Sequence, residues 1–145
     1  MIWIVILLTF AVDQLTKYLV SHNFHYLESI PIIPKIFYLT YVHNYGAAFG
    51  ILQGRRELFI LVAIVVLAFI IYFYKQLPKD RISRLALGLA LGGTIGNLVD
   101  RLRLGYVIDF FDFQVWPIFN IADSAIVIGM ALFAWILFND YTAKS

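Results

Sequence analysis

The sequence contains no cysteine and little charge, and both absences exclude classes of function. Without cysteine, the 145-residue chain can form neither disulfides nor thiolate ligands or nucleophiles. Charged residues make up only 14% of the chain and the formal net charge is +2, so we predict no nucleic-acid partner. The histidines His22, His25 and His43 lack metal-site spacing on one helix, and we assign His22 and His25 to a loop or interface. We expect no metal or organic cofactor.

Hydrophobic residues, in contrast, make up 62% of the chain and form four long runs. We predict membrane spans over about residues 2–20, 58–74, 82–102 and 121–138. Each is close to the roughly 20 residues that cross a bilayer as a helix, and the runs are too long and uniformly apolar for barrel strands. The first run lacks a basic leader, so we read it as a retained span rather than a cleaved signal peptide. The fold class predicted is an all-α membrane protein with four transmembrane helices, forming one domain over residues 1–145.

Basic residues predict the orientation of these spans. Four lie within ten residues between the second and third spans, namely Lys75, Lys79, Arg81 and Arg84. Those on the other side are spread over more chain: Lys35, Arg55, Arg56, Arg101 and Arg103. Because dense positive charge favours the cytoplasmic side, we expect both termini to be cytoplasmic.

The link from residue 21 to residue 57 is too long to be a simple turn. It contains Pro31 and Pro34, and residues 37–42 have strand-like composition. We therefore predict a small extracytoplasmic β-rich segment between helices 1 and 2. Its aromatic residues fit either a membrane-interface belt or a surface that contacts substrate.

Small residues and acids mark the first and third spans. Gly88, Gly92 and Gly96 recur every four residues, a spacing that lets helices approach closely. Asp13 and Lys17 are also four residues apart and can form an ion pair on one helical face, an interpretation we favour over direct chemistry.

The acids near the span ends fall on the outer side of the predicted topology. These residues are Asp13, Asp100, Asp109, Asp112 and Asp123. A short connection makes the third and fourth spans antiparallel neighbours, so Asp109 and Asp123 can meet at the interface. Two close carboxyls share a proton, and such a pair can activate water and protonate a leaving amine. Alternatively, Asp123 is only the acid of a helix cap begun by Asn120, and Asp112 can replace Asp109 in the pair.

Five motifs in this order resemble the lipoprotein signal peptidase (signal peptidase II) family over nearly the whole chain. They are DQLTK at residues 13–17, NYGAAFG at 44–50, GGTIGNLVDR at 92–101, VIDF at 107–110 and FNIADS at 119–124. The resemblance implies an aspartyl endopeptidase of the bacterial plasma membrane. It implies a prolipoprotein substrate whose cysteine carries a diacylglyceryl group, with cleavage just before that cysteine.

The resemblance also implies roles for individual residues. Asp109 and Asp123 correspond to the catalytic pair, and Asp112 lies outside the shared pattern. The residues that line the site and hold the substrate backbone are Asn44, Asn97 and Arg101. Those that support the architecture are Asp13, Lys17, Asp100 and Asn120. We expect a monomer in contact with membrane lipid.

Two other functions compete with a peptidase. A small proton-coupled transporter also uses intramembrane acids, but here the acids gather at one face instead of forming a path across the membrane. In an assembly subunit, the same acids would serve only as caps and ion pairs. Such a protein would tolerate neutral substitution of Asp109 or Asp123, apart from a loss of stability.

Overall fold

The computed structural model describes residues 1–46, 54–73 and 80–142, which form helices around a small sheet. The elements are α1 (Ile2–Asn23), β1 (Ser29–Ile33), β2 (Phe37–Asn44), α2 (Arg56–Phe73), α3 (Arg81–Arg103), β3 (Val107–Asp112) and α4 (Ile121–Thr142). Each hydrophobic run singled out in the sequence is helical over its described residues, which exclude residue 74 of the second run. Residues 47–50 of the second motif, Lys75 and Lys79 lie outside the described residues.

Two helices, α1 and α3, are long and apolar enough to cross a membrane, and Ile121–Ile136 of α4 forms a shorter apolar helix. Helix α1 exposes large apolar side chains, including Trp3 and Leu7, which are 73% and 65% exposed. Helix α2 does the same with Ile71, which is 68% exposed. An exposed apolar surface of this extent is expected where lipid, not water, surrounds the helices.

Helix α3 packs closely against both α1 and α4 because glycines line its surface. A Cβ added at Gly88 would lie 2.6 Å from the Cβ of Val5, and one at Gly92 would lie 2.7 Å from the Cβ of Thr9, both on α1. A Cβ at Gly93 would overlap the carbonyl oxygen of Ala122 on α4. The close packing predicted from glycine spacing is therefore confirmed, and it places α3 at the centre of the bundle.

Local signals set the two ends of α3. At its start, the side chain of Asp80 accepts hydrogen bonds from the backbone N–H groups of Ile82 and Ser83, at 2.9 and 3.0 Å. Just past its end, Gly105 has φ +86°, a left-handed conformation that glycine adopts without steric cost. The chain can therefore turn back directly into β3.

The sheet is antiparallel with strand order β1-β2-β3. The strand predicted at residues 37–42 is confirmed as part of β2. The sheet is larger than predicted, since β3 comes from the link between α3 and α4 and pairs Asp109 with Val42. The Val, Ile and Phe residues of Val107–Asp112 favour a strand, but two aspartates oppose it and the pairing partner is far away in sequence, so β3 is not among the predicted elements.

Two apolar clusters hold these layers together. One contains Ile2 and Ile6 of α1 with Leu87 and Leu91 of α3. The other joins the end of α1 to the sheet, through Val20, Tyr41, Ile108 and Phe110. Because the second cluster fixes β2 and β3 against α1, it also fixes the position of Asp109 relative to the helices.

Candidate active site

Asp109 and Asp123 come together where β3 meets the start of α4. Asp109 lies on β3 and is only 1% exposed, and Asp123 lies in the first turn of α4. Asn120 joins them: its Nδ2 donates to Asp109 Oδ1 at 2.6 Å, and its backbone N–H donates to Asp123 Oδ2 at 3.2 Å. The two carboxyls predicted from the sequence to meet therefore share one hydrogen-bonding residue.

Asn120 and Asp123 also form the helix cap that the sequence suggested. The backbone N–H of Asp123 donates to Asn120 Oδ1 at 2.9 Å, which completes a reciprocal pair with the bond from the Asn120 N–H. This cap uses Oδ2 of Asp123. The other carboxyl oxygen of Asp123, Oδ1, can therefore accept a hydrogen bond from Asn97.

Two further asparagines complete the surroundings of the pair. Asn97 Nδ2 donates to Asp123 Oδ1 at 2.7 Å, and Asn44 Nδ2 donates to Asp109 Oδ2 at 2.8 Å. All four carboxyl oxygens of the pair therefore accept an N–H hydrogen bond. The strand register explains the second contact, because Asn44 and Val42 lie on the same face of β2 and Val42 is directly opposite Asp109.

Burial changes the ionisation of Asp109. Desolvation and the nearby charge of Asp123 raise the pKa of Asp109 to about 7, against the opposing hydrogen bonds from Asn44 and Asn120. Close carboxyls titrate as a pair, with the first proton lost more easily than the second. The pair can therefore hold one proton near neutral pH.

Arg101 lies beside the pair at the C-terminal end of α3. Its guanidinium donates to the carbonyl oxygen of Gly46 at 3.3 Å and sits 5.0 Å from the ring centroid of Phe59. Its charge interacts electrostatically with Asp123 and Asp109. The structure thus brings a cation to the edge of the candidate site.

A buried polar network lies beneath the pair. The ion pair predicted between Asp13 and Lys17 is confirmed, with Lys17 Nζ 2.9 Å from Asp13 Oδ2, and a second one joins Lys17 to Asp100 Oδ2 at 2.9 Å. Lys17 Nζ also donates to Asn97 Oδ1 at 2.9 Å. Asp13 Oδ1 accepts the backbone N–H of Ala122 at 2.9 Å. The network therefore connects α1, α3 and the start of α4.

Asp112, the alternative member of the pair, is bonded elsewhere. Its carboxyl accepts from Thr40 Oγ1 and from the backbone N–H of Gln114, each at 2.8 Å. These bonds tie β2 to the turn after β3. The geometry therefore favours Asp109 over Asp112 as the partner of Asp123.

Gln14 was missed by the sequence analysis. Its Nε2 donates to Asp100 Oδ1 at 3.0 Å and to Asp13 Oδ2 at 3.2 Å, so it bridges two acids of the buried network. An uncharged polar residue next to Asp13 inside an apolar run was a signal that could have found it.

Aromatic residues of β2 contact one another and Tyr106. His43 stacks on Tyr106 with ring centroids 3.8 Å apart, and His43 Nε2 lies 2.8 Å from the Tyr41 hydroxyl. Burial raises the pKa of Tyr41 to about 12 and lowers the pKa of His43. Because side chains alternate along a strand, this aromatic cluster lies on the face of β2 opposite Asn44.

The geometry is that of two carboxyls joined by one asparagine at the edge of a helix bundle. One carboxylate can accept a proton from water while the other carboxyl donates a proton to a leaving group. In the described ranges, no group of three or more His, Cys, Asp or Glu side chains could hold a metal ion.

The chain is similar to curated relatives over most of their length. The chain is 51% identical over 132 residues to the lipoprotein signal peptidase of Halothermothrix orenii, covering 91% of each chain. It is 52% identical over 132 residues to that of Moorella thermoacetica, covering 90% of this chain and 88% of the relative.

Solved structures have the same fold. A bacterial membrane enzyme determined by the in meso method at 2.3 Å resolution superposes with a TM-score of 0.90 at 33% identity, covering 99% of this chain and 91% of that one. A second such enzyme, at 1.9 Å resolution, gives a TM-score of 0.84 at 33% identity, covering 96% and 93%. The family model described as signal peptidase (SPase) II matches residues 5–139. The chain therefore belongs to the signal peptidase II family.

Proposed function

We propose that this chain is a membrane aspartyl endopeptidase that removes the signal peptide from diacylglyceryl-modified prolipoproteins. Cleavage falls just before the lipidated cysteine. The observation that carries the proposal is the carboxyl pair of buried Asp109 and partly buried Asp123, bridged by Asn120. Membership of the signal peptidase II family and the names of its curated members, lipoprotein signal peptidases, support this substrate.

The proposed mechanism uses one proton shared by the two acids. The ionised carboxyl takes a proton from water as the water oxygen attacks the scissile carbonyl carbon. The protonated carboxyl gives its proton to the leaving nitrogen as the carbon–nitrogen bond breaks. The products are the signal peptide with a free carboxyl end and the lipoprotein with a free amine on its cysteine.

The surrounding residues then have separable roles. Arg101, beside the pair, and the amides of Asn44 and Asn97 line the site and contact the substrate backbone. Their contacts around the pair support this assignment. The architectural residues are Asp13, Lys17, Asp100 and Asn120.

We also propose a topology that brings a lipid-anchored substrate to this site. All four helices span the bacterial plasma membrane as one domain over residues 1–145, with both termini cytoplasmic. The active site and the sheet lie at the extracytoplasmic face, and the protein works as a monomer. The apolar exposure of α1 and α2 and the basic residues Arg81 and Arg84 at the start of α3 support this arrangement.

Neutral substitutions of the two acids test the proposal. We expect Asp109→Asn or Asp123→Asn to abolish cleavage of a diacylglyceryl-modified prolipoprotein by the detergent-purified protein. General acid–base groups typically supply about 100- to 10,000-fold each, so residual turnover should fall at least that far. Product mass identifies the cleaved bond.

The matched control is Asp112→Asn, a neutral substitution of a buried acid on the same strand. It should retain most activity, because its carboxyl bonds to Thr40 and Gln114 rather than to the pair. Near wild-type turnover by folded Asp109→Asn would contradict the proposal, and so would equal cleavage of an unlipidated substrate. No cleavage by folded wild-type protein would favour a transporter or assembly subunit.

A further inference from the structure

Lys17 is a buried cation, 2% exposed, whose three N–H donors are all engaged. Its ammonium group contacts Asp13 Oδ2, Asp100 Oδ2 and Asn97 Oδ1, each at 2.9 Å. An ammonium group has three donors and no acceptor, so each donor has its own oxygen. Two of these bonds neutralise acids, but the third goes to a neutral amide beside the candidate catalytic pair.

The third contact fixes the orientation of the Asn97 amide. Asn97 Oδ1 accepts from Lys17 Nζ and also from Asn120 Nδ2, at 3.2 Å. Turning the amide over would place its NH₂ group against the ammonium group, with donor facing donor. The amide nitrogen must therefore face Asp123 Oδ1, where the hydrogen bond is 2.7 Å long.

The other two asparagines of the site are fixed in a similar way, but by neutral groups. Asn44 Oδ1 accepts the backbone N–H of Gly46, and Asn120 Oδ1 accepts the backbone N–H of Asp123, each at 2.9 Å. Each amide thus presents its NH₂ group to a carboxyl of the pair. Asn97 differs because the group that holds its oxygen carries a full charge.

We infer that Lys17 is a positioning residue for the catalytic pair, which acts by holding Asn97 as a hydrogen-bond donor to Asp123. The inference rests on the proposed peptidase function and extends Lys17 beyond an architectural role. A donor on Asp123 Oδ1 stabilises the ionised carboxyl and disfavours a proton on that oxygen. Lys17 therefore influences the pH range in which the pair holds one proton.

The charge of Lys17 also favours ionised carboxyls in the pair, in the same direction as the Asn97 hydrogen bond. Besides Asp109 and Asp123 themselves, the charged groups around Lys17 and the pair are Asp13, Asp100 and Arg101. The charge of Lys17 lowers the pKa of Asp109, against the larger effects of burial and of Asp123, which raise it. Removing the ammonium group should therefore move the active pH range upward.

The first test is Lys17→Met, with kcat and KM measured from acid to alkaline pH on the lipidated substrate. We expect kcat to fall about tenfold or more and KM to change by less, because Lys17 affects substrate contacts only through Asn97. We expect the pH optimum to rise by about one to two units, the order expected for a charge roughly 6 to 12 Å away at an effective dielectric constant of about 20. The control is Lys35→Met, which removes an exposed lysine from the turn between β1 and β2. It should leave kcat, KM and the pH optimum unchanged.

A double-mutant cycle then separates positioning from general stabilisation. If Lys17 acts through Asn97, Lys17→Met should lower kcat little further in an Asn97→Ala protein, because the amide it orients is gone. Additive losses would overturn the inference. An unchanged pH optimum in a folded Lys17→Met protein would also overturn it, while cleavage by the wild type would leave the proposed function standing.

Lys17→Met leaves two buried acids without their cation, so a second variant guards against misfolding. Lys17→Met with Asp100→Asn removes one positive and one negative charge and keeps the local net charge unchanged. We expect this protein to keep a lowered kcat with a smaller change in KM, because Asn97 still lacks its ammonium partner. Full recovery of kcat would contradict a positioning role.

Discussion

Each carboxyl oxygen of the Asp109–Asp123 pair accepts a hydrogen bond from an N–H group, although Asp109 is buried and Asp123 is partly buried beside it. Donors favour ionised carboxyls, whereas burial and mutual repulsion favour protonated ones. For Asp109 burial prevails, and its pKa is raised to about 7. Asp109 therefore gains or loses its proton close to neutral pH.

This raised pKa predicts how stability depends on pH. The folded protein holds a proton on Asp109 between about pH 4 and 7, where the unfolded chain has released it, so stability falls as pH rises through that range. The effect of this one group is on the order of 1 to 4 kcal/mol. In detergent, the thermal midpoint should drop more between pH 5 and pH 8 for the wild type than for Asp109→Asn.

The drop with pH, and not the thermal midpoint itself, is compared because the substitution also changes hydrogen bonding. Asparagine can accept hydrogen bonds at its Oδ1 atom but not at its NH₂ group. Asp109→Asn places an NH₂ group against Asn44 or Asn120, which shifts stability at every pH by a constant amount. Equal drops in the two proteins would show that Asp109 does not titrate in this range.

Among the elements, α3 contributes most to the site, since its C-terminal segment carries Asn97, Asp100 and Arg101. It can deliver them only because Gly92 and Gly96 let α1 approach. A Cβ at Gly96 would lie 2.5 Å from Asp13 Oδ2, so this glycine borders the buried ion pairs directly. Packing and polar chemistry are therefore coupled on one helix.

Enlarging a glycine in this contact should affect both stability and activity. A Cβ at Gly92 would meet the Ile6 carbonyl oxygen at 2.9 Å, which is backbone and cannot move aside easily. We expect Gly92→Ala to cost about 1–3 kcal/mol and to lower turnover by separating α1 from α3. Adding bulk at an exposed position, with Ala131→Leu on α4, should cost far less in the same thermal unfolding assay.

Sequence patterns predicted the elements more completely than the contacts between them. The helices follow from long apolar runs, and the Asn120–Asp123 cap follows from residue types three positions apart. Strand β3 and the contacts of Gln14 and Lys17 with Asp100 did not follow, because they depend on partners more than 60 positions away. The meeting of Asp109 and Asp123 could be predicted because the connection between α3 and α4 is short.

At the scale of the whole molecule, polar groups concentrate at one end of an otherwise apolar bundle. The sheet, the carboxyl pair and the buried ion pairs all lie near the ends of α1 and α3 and the start of α4. The opposite end holds the apolar cluster of Ile2, Ile6, Leu87 and Leu91. This polarity agrees with a reaction that needs water at a membrane surface.

The proposed topology can be mapped with single cysteines, because the chain has none of its own. His25→Cys, just beyond α1, should react with a membrane-impermeant maleimide. The reagent is added to intact cells or spheroplasts, in which it reaches the outer face of the plasma membrane without crossing it. Arg84→Cys, in the first turn of α3, should react only after the membrane is permeabilised. The reverse pattern would mean that the orientation is inverted, and both residues are exposed in the folded protein.

The ion pair between Asp13 and Lys17 also matters for how the protein is made. Synthesis begins at the N-terminus, so α1 enters the membrane before Asp100 and Ala122 exist to bond with it. Because Asp13 and Lys17 are one helical turn apart, they can neutralise each other within α1 alone. Helix α1 can thus remain in the bilayer with its two charges paired. When α3 and α4 follow, Asp100 and Ala122 add their contacts to this ion pair.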